Sequence, residues 1–242
     1  MRSIFIVLFL VVYLIISLPL YLVAFLLGKF DKRKQFAFSQ KAAAVGLGCI
    51  RLIAGTRRTV KGLENIPRDE PVLFISNHRG FFDVILAYTT LPVLTSFVSK
   101  KEIRKIPCVG TWMRFLRCLF LDRKDVRADM KEILKGIEQI KEGYSIFIMP
   151  EGTRGYEDEP KEFHEGSFKF AQKTGCPIVP VAITNTEAVF EKQFPWVKKA
   201  YTSITYGKPF YVKDLDAEQK KHVGEYTRSI IIDMLKENEM KN

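Results

Sequence analysis

Val72-Leu73-Phe74-Ile75-Ser76-Asn77-His78-Arg79-Gly80-Phe81-Phe82-Asp83 passes from an apolar run through a polar turn into what reads as the start of a helix. A short apolar run closed by turn residues is the pattern of a strand buried on both faces, as in a parallel sheet. In such sheets the functional groups gather just beyond the carboxyl ends of the strands. Of the 3 histidines in the chain, His78 alone follows a strand of this kind. A carboxylate at Asp83 is close enough in sequence to fold back on the imidazole, fix one tautomer and stabilise the imidazolium. The pair contains no nucleophile of its own. It suits a reaction in which the substrate brings an alcohol, His78 removes its proton and the oxygen attacks an acyl carbon. The plain alternative is a histidine that caps the next helix, so the reading needs a second set of groups.

Working outward from this run, short apolar stretches alternate with helical patterns. Strands are expected at residues 58–60, 72–76, 96–99, 118–121, 145–149, 178–183 and 202–206. Helices are expected at 82–90, 109–116, 127–142, 167–174 and 217–238, where apolar residues recur at helical spacing. The alternation predicts an α/β fold, a mixed and mostly parallel sheet flanked by helices. Without repeats, low-complexity tracts or long linkers, residues 56–242 read as one α/β domain.

Residues 1–55 differ. No charged side chain occurs from 4 to 27, and at about 1.5 Å per residue that stretch can cross a hydrocarbon core of roughly 30 Å. It is longer than a signal-peptide core and ends in no small-residue cleavage site, so it reads as a retained N-terminal helical membrane anchor. Pro19 leaves a kinked, monotopic or re-entrant placement open. Lys29, Lys32, Arg33 and Lys34 follow it, against Arg2 alone before it, a bias that puts the following domain on the cytoplasmic side. Residues 36–54 read as a second helix, interfacial or packed on the first, and Arg57, Arg58 and Lys61 extend a basic margin suited to anionic headgroups.

The charge balance agrees with an anionic partner: 38 basic against 27 acidic residues, net +11. Charge alone does not choose among a membrane surface, a phosphorylated substrate and nucleic acid. Nucleic acid is set aside because no zinc-finger spacing, aromatic RNA-binding motif or recognition helix is visible. Cys49, Cys108, Cys118 and Cys176 are scattered, without metal-ligand spacing or a disulfide framework, and read as reduced thiols.

The second set of groups follows the strand at 145–149, in Pro150-Glu151-Gly152-Thr153-Arg154-Gly155. Gly152 allows close backbone approach, Thr153 offers a hydroxyl and Arg154 a planar fork matched to phosphate oxygens. Glu151 is expected to hold Arg154 or a substrate hydroxyl. Taken alone the loop is an ordinary turn with a surface ion pair, and it gains meaning by sharing a sheet edge with His78.

Asn77-His78-x4-Asp83, Phe147-x2-Pro150-Glu151-Gly152-Thr153-Arg154 and Ile178-Val179-Pro180-Val181 fall in the order and approximate separation of the lysophosphatidic acid acyltransferases, the 1-acyl-sn-glycerol-3-phosphate acyltransferase family. An intervening block of that family is similar to Lys100-Lys101-Glu102-Ile103, Pro107, Gly110 and Asp122-Arg123. The resemblance covers residues 60–210. Arg79-Gly80 and Phe81-Phe82 depart from the small polar residues frequent there, and Gly155 stands where Ser is frequent.

The resemblance implies a glycerolipid acyltransferase-like fold. It also implies acyl transfer from acyl-CoA or acyl carrier protein to the free sn-2 hydroxyl of lysophosphatidic acid, giving phosphatidic acid for phospholipid synthesis. His78 and Asp83 carry over as the catalytic pair, and Glu151, Gly152, Thr153 and Arg154 as the acceptor-phosphate loop. Arg123 is expected as a further phosphate contact and Lys100 as a cation near the developing charge. No metal or bound cofactor is expected. Phe81, Phe82, Trp112, Met113, Phe115 and Leu116 lie where an acyl groove would need apolar surface, although such clusters are more often core. The rival readings are transfer to another lyso-lipid and a nonenzymatic membrane lipid-binding protein.

Overall fold

The computed structural model describes residues 1–122, 125–157 and 159–240. It opens with two long helices, α1 (Arg2–Phe30) and α2 (Lys32–Ala54), packed on each other as a hairpin. Asp31 makes the turn between them: its backbone is extended, and its carboxylate accepts from the amides of Arg33 (2.8 Å) and Lys34 (3.0 Å), satisfying donors that the helix start leaves open. Tyr13 donates to the carbonyl of Ala42 (2.7 Å) and Gln35 to that of Ala24 (3.0 Å), fixing the register of the pair. The outer side of α1 is apolar and exposed, at Ile4, Phe5, Leu8, Ile15, Ile16 and Leu22 among others.

The rest of the chain forms β1 (Arg57–Lys61), β2 (Leu73–Ser76), α3 (Phe82–Tyr88), β3 (Thr95–Lys100), α4 (Val109–Phe115), β4 (Leu119–Leu121), α5 (Val126–Lys141), β5 (Ser145–Ile148), α6 (Lys169–Thr174), β6 (Ile178–Thr184), β7 (Tyr201–Tyr206), α7 (Ala217–Lys221) and α8 (Val223–Met240). Among the described residues the strands make one 7-stranded sheet of order β1-β7-β6-β2-β5-β3-β4. Every neighbouring pair is parallel except β6 and β7, which are antiparallel. All the expected strands form, and the mixed, mostly parallel sheet is the one foreseen.

Alternation along the strands divides the core into two layers. Val72, Phe74, Phe147, Val179 and Val181 pack with Phe36 of α2 and Leu86 of α3, whereas Leu73, Ile75, Ile146, Ile148 and Ile178 pack with Phe168, Phe170 and Ile231. A third cluster joins Ile6 and Ile50 of the hairpin to Phe82, Ile85 and Val189. Of the cysteines, Cys118 and Cys176 are buried and Cys49 and Cys108 half-buried, all as free thiols.

Two helices differ from the expectation. The stretch 167–174 begins as a 3-10 turn over Glu165–Phe168 before α6. The C-terminal helix breaks at His222, whose φ of −125° and ψ of 52° are not helical. Glu165 explains the break: its carboxylate accepts from the Gly224 amide at 2.8 Å, capping α8 from a segment distant in sequence.

Gly136 marks the closest approach of α5 to the sheet, because a Cβ there would lie 2.4 Å from Phe170 and 2.6 Å from Leu119. Helix propensity favours Ala over Gly by about 1 kcal/mol, but overpacking a core costs about 1–3 kcal/mol. We expect Gly136→Ala to lower the denaturation midpoint, and a rise would mean that α5 is free to move away.

Candidate active site

The ends of β6, β2 and β5 lie side by side, and the chain leaving β2 is held from both flanks. On one flank the buried Asn77 amide donates to the carbonyl of Ile183 (2.9 Å) and accepts from its N–H (2.8 Å), continuing the ladder past the last residue of β2. On the other, the amide of His78 donates to Glu151 (2.6 Å), and the Gly155 amide donates to the His78 carbonyl (2.9 Å). The His78 backbone is therefore bracketed by the loop that follows β5.

His78 Nδ1 lies 2.7 Å from Asp83 Oδ2. Asp83 sits in the first turn of α3 with 0% of its side chain exposed. Its Oδ2 also accepts from the amides of Arg79 (2.7 Å) and Gly80 (2.9 Å), and its Oδ1 from the Thr186 hydroxyl. A carboxylate ringed by donors requires Nδ1 to carry its hydrogen, which leaves Nε2 as the acceptor nitrogen. The imidazole is 23% exposed, and among the described residues nothing hydrogen-bonds Nε2.

Two arginines flank the pair, each held by a glutamate from the segment after β6. Arg79 forms a fork with Glu187 (2.9 and 2.8 Å) and also reaches the Glu157 carbonyl (3.1 Å). Burial is the largest influence on the Glu187 carboxyl and would raise it, but the hydrogen bonds and charge of Arg79, its own backbone amide and the Lys192 hydrogen bond together hold it below the usual glutamate range; the Glu187 hydrogen bonds in turn raise Arg79. Arg154 donates to Glu191 (3.1 Å) and lies 4.4 Å over the ring of Phe81. With 36% of its side chain exposed, Arg154 has donors left for an incoming anion. Glu191 also accepts from the Phe81 amide (2.8 Å), while its other oxygen is buried and unpartnered among the described residues.

The structure thus brings His78, Asp83, Glu151, Gly152 and Arg154 to one sheet edge, with roles that differ from the sequence reading. Glu151 does not hold Arg154. Its two oxygens are taken by the amides of His78 and Lys161 (2.9 Å), and burial pushes its carboxyl above the usual range. It is consumed by the backbone because the loop turns sharply at Gly152, where φ is 68°, the left-handed region that glycine enters without strain. Thr153 is exposed. Lys100 is exposed at the end of β3, separated from β2 by β5, and Arg123 lies outside the described residues. Of the apolar residues expected near an acyl groove, Phe82, Trp112 and Leu116 are core, while Phe81 is 57% exposed.

Sequence reasoning missed Thr186, Glu187 and Glu191. Their signal was positional: polar residues just past β6, next to β2, in a chain with two arginines at that edge in need of acids. Gly80, an apparent departure from the family pattern, has a packing reason, since a Cβ there would meet Glu191 Oε2 at 2.6 Å.

Residues 57–184 match the family model described as Acyltransferase. The chain is similar to a chloroplastic 1-acyl-sn-glycerol-3-phosphate acyltransferase of Brassica napus, 38% identical over 52% of this chain and 37% of the relative. It is also similar to a 1-acyl-sn-glycerol-3-phosphate acyltransferase of Borreliella burgdorferi, 33% identical over 60% of this chain and 59% of the relative. In each case the match spans less than two thirds of the relative's length. A crystal structure of the 1-acyl-sn-glycerophosphate acyltransferase PlsC from Thermotoga maritima superimposes with a TM-score of 0.77 at 26% identity, covering 99% of this chain and 98% of that one. The matched segment spans more than half of the chain and carries the sheet edge with His78, Asp83 and Arg154, and the chain belongs to the acyltransferase family.

Proposed function

We propose that the protein transfers an acyl group from a thioester, acyl-CoA or acyl carrier protein, to the sn-2 hydroxyl of lysophosphatidic acid, giving phosphatidic acid. The observation that carries this reading is the 2.7 Å contact between His78 Nδ1 and a fully buried, multiply bonded Asp83. Nε2 takes the proton of the acceptor hydroxyl as that oxygen bonds to the thioester carbonyl carbon. The tetrahedral intermediate then expels the thiolate, which takes the proton back from the imidazolium. Asp83 orients the ring and stabilises its charged form, Glu151 positions the His78 backbone, and Arg154 receives the acceptor phosphate. Lys100 and Arg123 stand as further cations for the phosphate or the developing oxyanion. The chemistry as written calls for no metal or bound cofactor.

The membrane reading rests on the hairpin of residues 1–55, which serves as the anchor of the α/β domain at 56–242. α1 touches that domain near its start and again about two thirds of the way along. Ser3 accepts from the Val197 amide (2.7 Å) and Ile6 packs with Phe82, while Tyr21 donates to the Cys108 carbonyl (2.8 Å) and its ring lies tilted against Trp112 with centroids 4.8 Å apart. A helix held along its length against one domain cannot cross a bilayer with that domain on one side. We therefore read α1 as monotopic, its apolar outer face in one leaflet, its basic margin on anionic headgroups, and the active site on the cytoplasmic side, where thioester donors arrive.

Three outcomes follow from these assignments. His78→Ala is expected to lower kcat by roughly 10²–10⁴-fold with the fold intact, the usual contribution of a general base; full turnover in reconstituted membranes would remove His78 from the mechanism. Arg154→Ala is expected to raise KM for lysophosphatidic acid by roughly ten- to a hundredfold, the worth of a charged hydrogen bond, and to leave a phosphate-free lyso-lipid unaffected. An unchanged KM would place the acceptor phosphate elsewhere. Finally, epitope tags at the two termini of the reconstituted protein should be digested by external protease in the same vesicle population. Tags on opposite faces would mean that α1 spans.

A further inference from the structure

Away from the sheet edge, α2, β1 and the residue after α3 line an open cavity of about 290 Å³. Ala44 and Gly48 line it with little bulk, and Lys41, Arg51, Arg58 and Thr89 surround the space. Positions 41, 44, 48 and 51 recur at helical spacing, so one stripe of α2 supplies two of the three cations.

These cations differ from those of the active site. Arg79 and Arg154 each face a buried glutamate, whereas no acidic residue lines this cavity. Arg51 gives one hydrogen bond to the Thr56 carbonyl (3.0 Å), and its Nε is buried with no partner among the described residues. Arg58 donates to the Thr89 hydroxyl. Burial, and after it the charge of Arg51, push the Arg58 guanidinium below its usual range. Two half-buried guanidiniums of like charge with no counter-ion are costly, and an anion between them would remove that cost. Guanidinium forks match phosphate oxygens, and Lys41 adds a third positive charge at the exposed rim.

We propose that this cavity is a second phosphate-binding site, separate from the acceptor site, which takes the phosphate of an anionic lipid headgroup or free phosphate. Thr89 directly follows α3, whereas Asp83 stands in its first turn, and the two sites share no residue. Val45 at the rim is 58% exposed and Leu52 on the same helix 66%, and on the membrane placement proposed above this apolar face turns the opening toward lipid headgroups. The site depends on no role for His78 or Arg154.

The test is binding to the full-length protein. In detergent, inorganic phosphate is titrated by calorimetry into the wild type, Arg51→Gln, Arg58→Gln and Lys41→Gln, with His78→Ala and Arg154→Ala as variants of the acceptor site. Flotation with phosphatidylcholine vesicles, with and without phosphatidic acid, forms the second arm. Saturable phosphate binding weakened roughly fivefold for each cavity charge removed, and kept in Arg154→Ala, supports the site. Lys41 is exposed, so Lys41→Gln reports even if a guanidinium variant fails to fold. If the preference for phosphatidic acid vesicles falls in the same variants, the source is a lipid headgroup; if only the calorimetry changes, it is free phosphate. Equal affinity and equal flotation for wild type and all three cavity variants would overturn the proposal, whatever the acyltransferase activity proves to be.

Discussion

A carboxylate with no exposed surface must find every partner inside the protein, and Asp83 sets that condition for the whole sheet edge. Its donors are the His78 ring, the amides of Arg79 and Gly80, and the hydroxyl of Thr186. They come from the turn after β2 and from the segment after β6, while Asp83 itself rides on α3. These three pieces can satisfy the carboxylate only when β2 and β6 end at the same level, which the Asn77 amide enforces through Ile183. The pairing of the strands and the orientation of the imidazole are therefore one constraint.

The strands and most helices were legible because their signals are local. Apolar runs such as 72–76 and 145–149 carry their burial pattern within a few residues, and the His78 to Asp83 spacing lies inside one turn. What could not be read were contacts between distant segments. Glu187 reaches Arg79 and Glu191 reaches Arg154 from beyond β6, and no local pattern announces either pair. Sequence proximity offered Glu151 a partner in Arg154, with a substrate hydroxyl as the alternative. Burial between two backbone amides took Glu151 instead, since an amide left unpaired at that depth is costlier than a half-exposed arginine in search of another acid. The break at His222 was hidden for the same reason, being set by Glu165.

The glutamates also define how the edge can receive an anion. Arg79 is held through all three guanidinium nitrogens by Glu187 and the Glu157 carbonyl, so it stiffens the turn around His78. Arg154 is more loosely held: it shares Glu191 Oε1 with the Phe81 amide and rests its face on the Phe81 ring. A phosphate arriving there would compete with Glu191 for one hydrogen bond and would keep the aromatic platform that aims the guanidinium. The aromatic residue that departs from the family pattern thus has a use in presenting the cation.

The helical hairpin is no detachable tether to this machinery. Phe82, the residue before Asp83, packs in one cluster with Ile6 of α1 and Ile50 of α2, and Phe36 of α2 enters the main core, its ring 5.3 Å from that of Tyr144. Any tilt of the hairpin relative to the sheet would disturb the first turn of α3, and with it the carboxylate that orients His78. On the proposed monotopic placement, the surface that seats the protein in a leaflet is therefore built into the support of the His78–Asp83 pair. On the proposed function, depth in the membrane and orientation of the imidazole would then be fixed together, so that a lipid hydroxyl held at one level in the bilayer would meet Nε2 at a set position.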